Sequence, residues 1–460
     1  MADLLSVDPR DGAVVARHPI MDAAAVAAAI KACARAQTTW RKQGSEERAA
    51  VLREVAALLR RDADRHAALM TREMGKPITQ ALAEVEKCAW CCEFYAESAE
   101  RMLAPERVAS AASESWVSFQ PLGVVLAVMP WNFPYWQAIR AAAPALMAGN
   151  GMVLKHASNV MGCALAIEAT FRDALSSMGA PPDLFRSLII GSAEVASVID
   201  HPAISAVTLT GSTPAGQAVA SRAGANLKPT VLELGGSDAY LVLADANLDL
   251  AVEACVTGRM FNGGQSCIAA KRWIVEAPLR AAFTERAVAA MEAYVPTDPS
   301  EPESLLGPMA RVDLRDELHE QVLRAIAAGA KVLLGAELPD RPGAWYPPTV
   351  LDGVRPGNPA FDEELFGPIA TITIAADEAE GIALANRSCF GLGAAVFTGD
   401  PARGRRIAEQ ELEAGSCFVN DFVRSDPRLP FGGIKASGYG RELGREGIRA
   451  FVNVKTVWVR

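Results

Sequence analysis

Histidine is scarce in this chain, five among 460 residues, and long unbroken hydrophobic runs are missing. The apolar stretch from Val124 to Met129 stops at Pro130, and the one from Ala141 to Leu154 is interrupted by Pro144, Gly149, Asn150 and Gly151. Neither reaches the roughly 20 apolar residues that cross a bilayer, so no membrane partner is expected. Excess basic charge is missing too. The formal net charge is −9 and the lysines and arginines are scattered among acids, which argues against the phosphate-binding face of a nucleic-acid protein. Met1 to Asp11 shows neither the basic nor the apolar region of a secretory signal. Nine cysteines, an odd number without an export signal, point to reduced thiols in the cytoplasm and not to a disulfide framework. Cys88 and Cys91 form a C-x-x-C with no second pair or histidine nearby; they read as core, and no metal site is expected.

What is present is apolar material in quantity. Hydrophobic residues make up 50% of the chain and charged ones 22%, and 460 residues exceed what one core organises, so two or three domains are expected. The first hundred residues read as helical, with Val51, Leu52, Val55, Leu58 and Leu59 forming one apolar stripe. From Val124 short apolar runs alternate with helical stretches. Val124–Met129, Met152–Lys155, Ser187–Ile190, Ala206–Thr210 and Thr230–Leu234 are strand candidates for a parallel sheet. A second series offers Tyr240–Leu243, Trp273–Val275 and Lys331–Leu334, the last preceded by a helix bearing Leu318, Val322 and Ile326 and ending at Gly329. The segment Leu103–Phe119 fits neither an amphipathic helix nor a buried strand, and Phe451–Arg460 is an apolar strand candidate.

Four motifs carry chemistry. Phe261 to Lys271 reads F-N-G-G-Q-S-C-I-A-A-K, where two glycines allow a tight turn that would present Cys267 on a loop; the alternative is a buried small hydrophobe. In T-V-L-E-L-G-G-S-D, Thr230 to Asp238, Glu233 interrupts an apolar strand. It is either a strand-end carboxylate turned to solvent or a base whose pKa partial burial adjusts. None of the five histidines lies in these motifs, so a Cys-His pair has no local support. In M-P-W-N-F-P, Met129 to Pro134, two prolines bracket Trp131 and Asn132, and Asn132 is either an amide donor for an oxyanion or an ordinary turn residue. Val207 to Gly216, V-T-L-T-G-S-T-P-A-G, is a strand, then Gly211 and Ser212, then a helix start, an arrangement that receives a pyrophosphate. The G-x-G-x-x-G fingerprint is absent, so by itself this motif does not establish a dinucleotide site.

Taken together, W-N-F-P at Trp131, T-G-S at Thr210, E-L-G-G at Glu233, G-Q-S-C at Gly264, E-E-L-F-G-P at Glu363 and P-F-G-G-I-K-A-S-G-Y-G-R-E-L at Pro430 resemble the aldehyde dehydrogenase superfamily, in order and across essentially the whole chain. The resemblance implies an α/β fold with a Rossmann-type cofactor domain from residues 1–102 and 122–235 and an α/β catalytic domain from 236–450. A small β bridging region from 103–121 and 451–460 would pair across subunits of a homodimer or homotetramer. It implies Cys267 as nucleophile, Glu233 as general base, and Asn132 with the Cys267 backbone N–H as oxyanion hole. A free thiol titrates near about 8.5, so the surroundings of Cys267, the cofactor's positive ring among them, are expected to depress its pKa.

For the cofactor, NADP or NAD, the resemblance implies Lys155 and Ser158 at the adenosine ribose, Ser212 at the pyrophosphate, Glu364 at the nicotinamide ribose and Phe366 as a wall of the nicotinamide pocket. Trp131, Gly211 and Leu234 complete the set. Ser158 stands where NAD-specific members often carry Glu, which admits a 2′-phosphate. His156 replaces the usual Pro, Ala141 a frequent Lys, and Asn453 a Glu of some members.

Within the superfamily the chain is most similar to bacterial succinate-semialdehyde dehydrogenases, through L-K-H-A-S-N-V-M-G-C-A at Leu154 and G-P-M-A-R-V-D-L-R-D-E-L-H at Gly307. That likeness implies Arg140 as a clamp for the distal carboxylate, with Arg424 and Ser425 as further contacts. A second arginine of some relatives is replaced by Phe261, which leaves open a pocket for uncharged aliphatic or aromatic aldehydes lined by Trp136 and Phe261. A reading of another class is a Cys-dependent esterase or acyl hydrolase without redox chemistry; Ser212, Glu364 and Phe366 argue against it.

Overall fold

The computed structural model describes residues 3–460. It opens with an antiparallel hairpin, β1 (Asp3–Val7) and β2 (Val14–Pro19), before four helices, α1 (Ala23–Trp40), α2 (Ser45–Arg61), α3 (Ala63–Met74) and α4 (Ile78–Met102). The expectation that the first hundred residues are helical therefore fails over residues 3–19, residues 1 and 2 lying outside those described. Those strands have only two buried residues, Ser6 and His18, which meet each other at 3.2 Å, and Ser6 also bonds to Glu73 of α3, so no local apolar periodicity announces them. Within α2 all five residues of the apolar stripe are buried.

β3 (Glu106–Arg107) and β4 (Glu114–Pro121) come next, then five mutually parallel strands, β5 (Val124–Met129), β6 (Gly151–His156), β7 (Phe185–Ser187), β8 (Ile204–Thr210) and β9 (Thr230–Glu233). The helices α5 (Pro134–Met147), α6 (Met161–Ser177), α7 (Val195–Asp200) and α8 (Thr213–Ala225) lie between them. In space the order is β9-β8-β5-β6-β7. The chain builds outward from β5 to β7, then returns to the other side of β5, and this reversal opens a crevice at the carboxyl ends of β5 and β8. β7 is displaced from the expected Ser187–Ile190, because the Ile189 carbonyl accepts from Met21 N at 2.9 Å and draws that stretch off the sheet. The short strand Gly438–Tyr439 adds to the same sheet antiparallel to β9, with Gly438 opposite Glu233.

The second half supplies β10 (Asp238–Val242), α9 (Leu248–Met260), β11 (Ala270–Glu276), α10 (Arg280–Glu292), α11 (Val312–Ala327), β12 (Lys331–Leu334), β13 (Thr349–Asp352) and β14 (Ile369–Ala375). They form a seven-stranded sheet ordered β12-β13-β14-β11-β10 and continued by Gly393–Phe397 and Ser416–Val419, parallel except for β12. α11 buries Leu318 and Val322, and Gly329 beyond it has φ 99°. β10 and β11 are buried at every position, as strands covered on both faces require.

A separate three-stranded sheet joins β3, β4 and the terminal strand Val452–Val459. That terminal strand is an edge, and Val454 and Trp458 on it are 63% and 57% exposed. All nine cysteines are free, with Cys88 and Cys91 in the core under α4. Among the described residues no helix is long and apolar enough to cross a membrane, and no cluster of side chains is arranged to hold a metal.

Candidate active site

After α9 the chain makes a short turn, Phe261–Gly264, in which Asn262, Gly263 and Gly264 have φ of 56°, 61° and 71°. At Gly264 a Cβ would collide with the Gly367 carbonyl, so both space and dihedral demand glycine there. Asn262 holds its left-handed backbone with side-chain bonds, Nδ2 donating to the carbonyls of Asn132 at 2.8 Å and Gln265 at 3.1 Å. Asn132 in turn donates from Nδ2 to the Gln265 carbonyl at 2.9 Å and accepts at Oδ1 from Gln137 at 3.0 Å. Amide bonds thus tie the W-N-F-P segment to the cysteine loop, and the amide of Asn132 keeps a second N–H.

Lys271, the last residue of the cysteine motif, is a candidate site residue to which reading the motif gave no role. From β11 its Nζ donates to the carbonyls of Ser266 and Cys267, each at 2.8 Å, and lies 3.1 Å from Glu364 Oε1. The available signal was a lysine at the start of a buried strand, four residues past the cysteine, since a buried cation needs partners.

In the cofactor-free chain burial pushes the Cys267 thiol up to about 12, and the opposing pull of Lys271 and Arg140 does not overcome it, so the protein's own groups do not supply the expected depression. Glu233, at the end of β9, is 1% exposed and neither oxygen finds a hydrogen-bond partner among the described residues. Burial first, and then the Glu442 charge, raise its pKa well above the carboxylate range. It is therefore not turned to solvent, and its burial is complete where a partial one was expected. Arg140 pairs with Glu442 and donates to Thr210 Oγ1 at 3.1 Å.

Cys267 opens onto a cavity of about 230 Å3. Arg140, Trp136, Phe261 and Ser425 line it, so residues spread over almost 300 positions are gathered around one sulfur, and Arg424 lines it as well. Asn132 and Glu233 are buried outside that lining. Phe133 stacks on Phe261 with centroids 5.9 Å apart. Lys87 of α4, which no motif drew attention to, also faces the cavity.

The crevice at the switch in strand order collects the other group. Lys155 and Leu209 flank Val128 in register, which sets β6 and β8 about 10 Å apart there. Lys155 is half-buried, and burial lowers its pKa; Ser158 begins a short turn two residues past β6. Gly211 N donates to the Glu233 carbonyl at 3.0 Å, and α8 then starts after Ser212 with no side chain capping its first turn. Leu234 is buried against Gly216, and Trp131 meets Phe366 edge-to-face at 5.7 Å. Glu364 accepts from Gly236 N at 3.0 Å. His156 is accommodated by a 2.9 Å contact from Nε2 to the Pro134 carbonyl. An uncapped helix start, a half-buried cation and an aromatic wall fit an anionic dinucleotide.

The model of the aldehyde dehydrogenase family matches residues 2–457. The NAD(P)+ succinate semialdehyde dehydrogenase of Escherichia coli K12 is 47% identical over 454 residues, covering 99% of this chain and 97% of that protein. A probable NADP+ succinate-semialdehyde dehydrogenase of Synechocystis is 51% identical over 408 residues, 89% of each chain. The solved structure of succinic semialdehyde dehydrogenase from Streptococcus pyogenes with NADP+ matches with a TM-score of 0.96 at 36% identity, covering 99% of both chains. Sequence and backbone agree from end to end, and this chain belongs to the aldehyde dehydrogenase family.

Proposed function

We propose that this chain oxidises succinate semialdehyde to succinate with NADP+ or NAD+ through a covalent intermediate on Cys267. The observation that carries the reading is a cavity of about 230 Å3 with the Cys267 thiol on one wall and Arg140 and Ser425 on others. The relatives named for this substrate support it.

In this mechanism the Cys267 sulfur attacks the aldehyde carbon and gives its proton to solvent water as it does so, because burial disfavours a standing thiolate. The second N–H of Asn132 and the Cys267 backbone N–H receive the oxyanion of the thiohemiacetal. When bound, a nicotinamide dinucleotide would supply the hydride acceptor, and loss of hydride from the thiohemiacetal leaves a thioester on Cys267. Glu233 then takes a proton from water, which cleaves the thioester and frees the acid. Its high pKa requires that it first give up its own proton, and Glu442 with Arg140 are the groups beside it. Lys271 fixes the loop by holding two of its carbonyls. For the dinucleotide, Lys155 and Ser158 would hold the adenosine ribose, Gly211 and Ser212 the pyrophosphate, Glu364 the nicotinamide ribose, and Trp131, Leu234 and Phe366 the walls around the ring. Trp136 and Phe261 would line the substrate's path.

The same reading divides the chain into a cofactor domain (1–102 and 122–235), a catalytic domain (236–450) and a bridging region (103–121 and 451–460). The apolar edge strand Val452–Val459 supports a homodimer or homotetramer, and free thiols throughout support a cytoplasmic setting. A second reading, uncharged aldehydes, is favoured by the aromatic lining of Phe133, Trp136, Phe261, Phe422 and Phe431. Initial rates with succinate semialdehyde, glutarate semialdehyde, benzaldehyde and hexanal, each with both cofactors, decide between them. Succinate semialdehyde is expected to have the highest kcat/KM, and an equal or higher value for hexanal overturns the proposal.

A further inference from the structure

The charges around the cavity are not equally free. Glu84 is paired with Lys76 and accepts from the backbone N–H groups of Tyr135 and Trp136, each at 2.9 Å. The charge of Arg140 is offset by Glu442, and that of Arg424 by Asp421 at 2.7 Å. Lys87 differs. Among the described residues its Nζ has one polar partner, Ser425 Oγ at 2.9 Å, and it stands 4.4 Å from the centroid of the Trp136 ring. An ammonium carries three N–H donors, so two remain unused. Ser425 accepts from Lys87, which leaves its own hydroxyl hydrogen free to donate to a third group.

These are the ingredients of a carboxylate site: a half-buried cation without a counter-ion, an adjacent hydroxyl donor, and an aromatic floor that excludes water. Burial, then the neighbouring Arg140, bring the Lys87 ammonium down to about 8, against a weaker opposing pull that includes Glu84. We propose that Lys87 is the specificity-determining cation of this enzyme, its ammonium and the Ser425 hydroxyl together binding the distal carboxylate of the aldehyde. Arg140, already neutralised by Glu442, shapes the wall beside it. This rests on the reading that the substrate carries a carboxylate.

The test is the ratio of kcat/KM for succinate semialdehyde over that for butanal, which has the same carbon count and no carboxylate. In K87M, which keeps a long unbranched side chain without the charge, the ratio is expected to fall about tenfold to a hundredfold, chiefly through KM for succinate semialdehyde. K87R is expected to recover most of the loss. S425A, which removes only the hydroxyl, is expected to move the ratio in the same direction by a smaller factor and serves where K87M folds poorly. A wild-type preference for succinate semialdehyde that survives in both K87M and S425A overturns this proposal alone. A wild-type enzyme that turns over butanal as well as succinate semialdehyde overturns the substrate reading and this proposal with it.

Discussion

The two ends of the cavity are built differently. At the reacting end, Asn132, Asn262 and Lys271 each donate to backbone carbonyls of the cysteine loop and its neighbour, at 2.8 to 3.1 Å, with one Asn132 N–H left over and Lys271 also beside Glu364. At the far end polar groups meet side chain to side chain: Lys87 with Ser425, Arg140 with Glu442, Arg424 with Asp421. Backbone carbonyls stay in place when a neighbour mutates, whereas a side-chain partner is one substitution from absent. The reacting end therefore fixes geometry for the chemistry, and the far end is where substrate choice can change without disturbing it.

The largest effect should come from the reacting end. Cys267→Ala is expected to lower kcat with any aldehyde by about 10^4-fold or more, followed by cofactor reduction, because no other group there can carry the acyl intermediate. Residual turnover within tenfold of wild type would mean the sulfur is not the nucleophile. Arg140→Ala should act mainly on stability. It strands Glu442 beside Glu233 without its paired guanidinium, leaving Arg441 as the cation near Glu233, at a cost of about 3–5 kcal/mol read from the urea midpoint. A change below about 1 kcal/mol would show that Arg140 is not a structural counter-ion and that the two ends are less distinct than argued.

The smallest and most specific effect is on thiol reactivity. With its pKa pushed up to about 12 by burial, Cys267 in cofactor-free enzyme has a thiolate fraction that rises about tenfold per pH unit below that value. Alkylation of Cys267 by iodoacetamide, followed by mass spectrometry, should climb by about a hundredfold from pH 7 to pH 9 without a plateau. A plateau in this range would place the thiol far lower and make the resting nucleophile a thiolate.

Much of the first sheet was legible in the sequence because its strands are buried on both faces. Val124–Met129 is continuous apolar sequence and forms a strand with those bounds. The opening hairpin was not legible, since its strands bury only Ser6 and His18 and are held by Glu73 from α3. Neither was the addition of Gly438–Tyr439 to the edge at β9, a pairing across about two hundred residues that two residues cannot signal. At the site, short motifs pointed to Cys267, Glu233 and Asn132. Lys271 and Lys87 escaped because a lone lysine has no periodicity and acquires meaning only from what folds against it.

The sequence by itself determined which residues can react and on what kind of turn they sit, because glycines, prolines and a carboxylate in an apolar strand act through local backbone chemistry. Only the tertiary structure decided which charges remain free. Arg140 meets Glu442, and Lys87 meets Ser425, across about three hundred residues of chain, and whether a buried cation finds a carboxylate depends on three-dimensional proximity that local pattern does not encode.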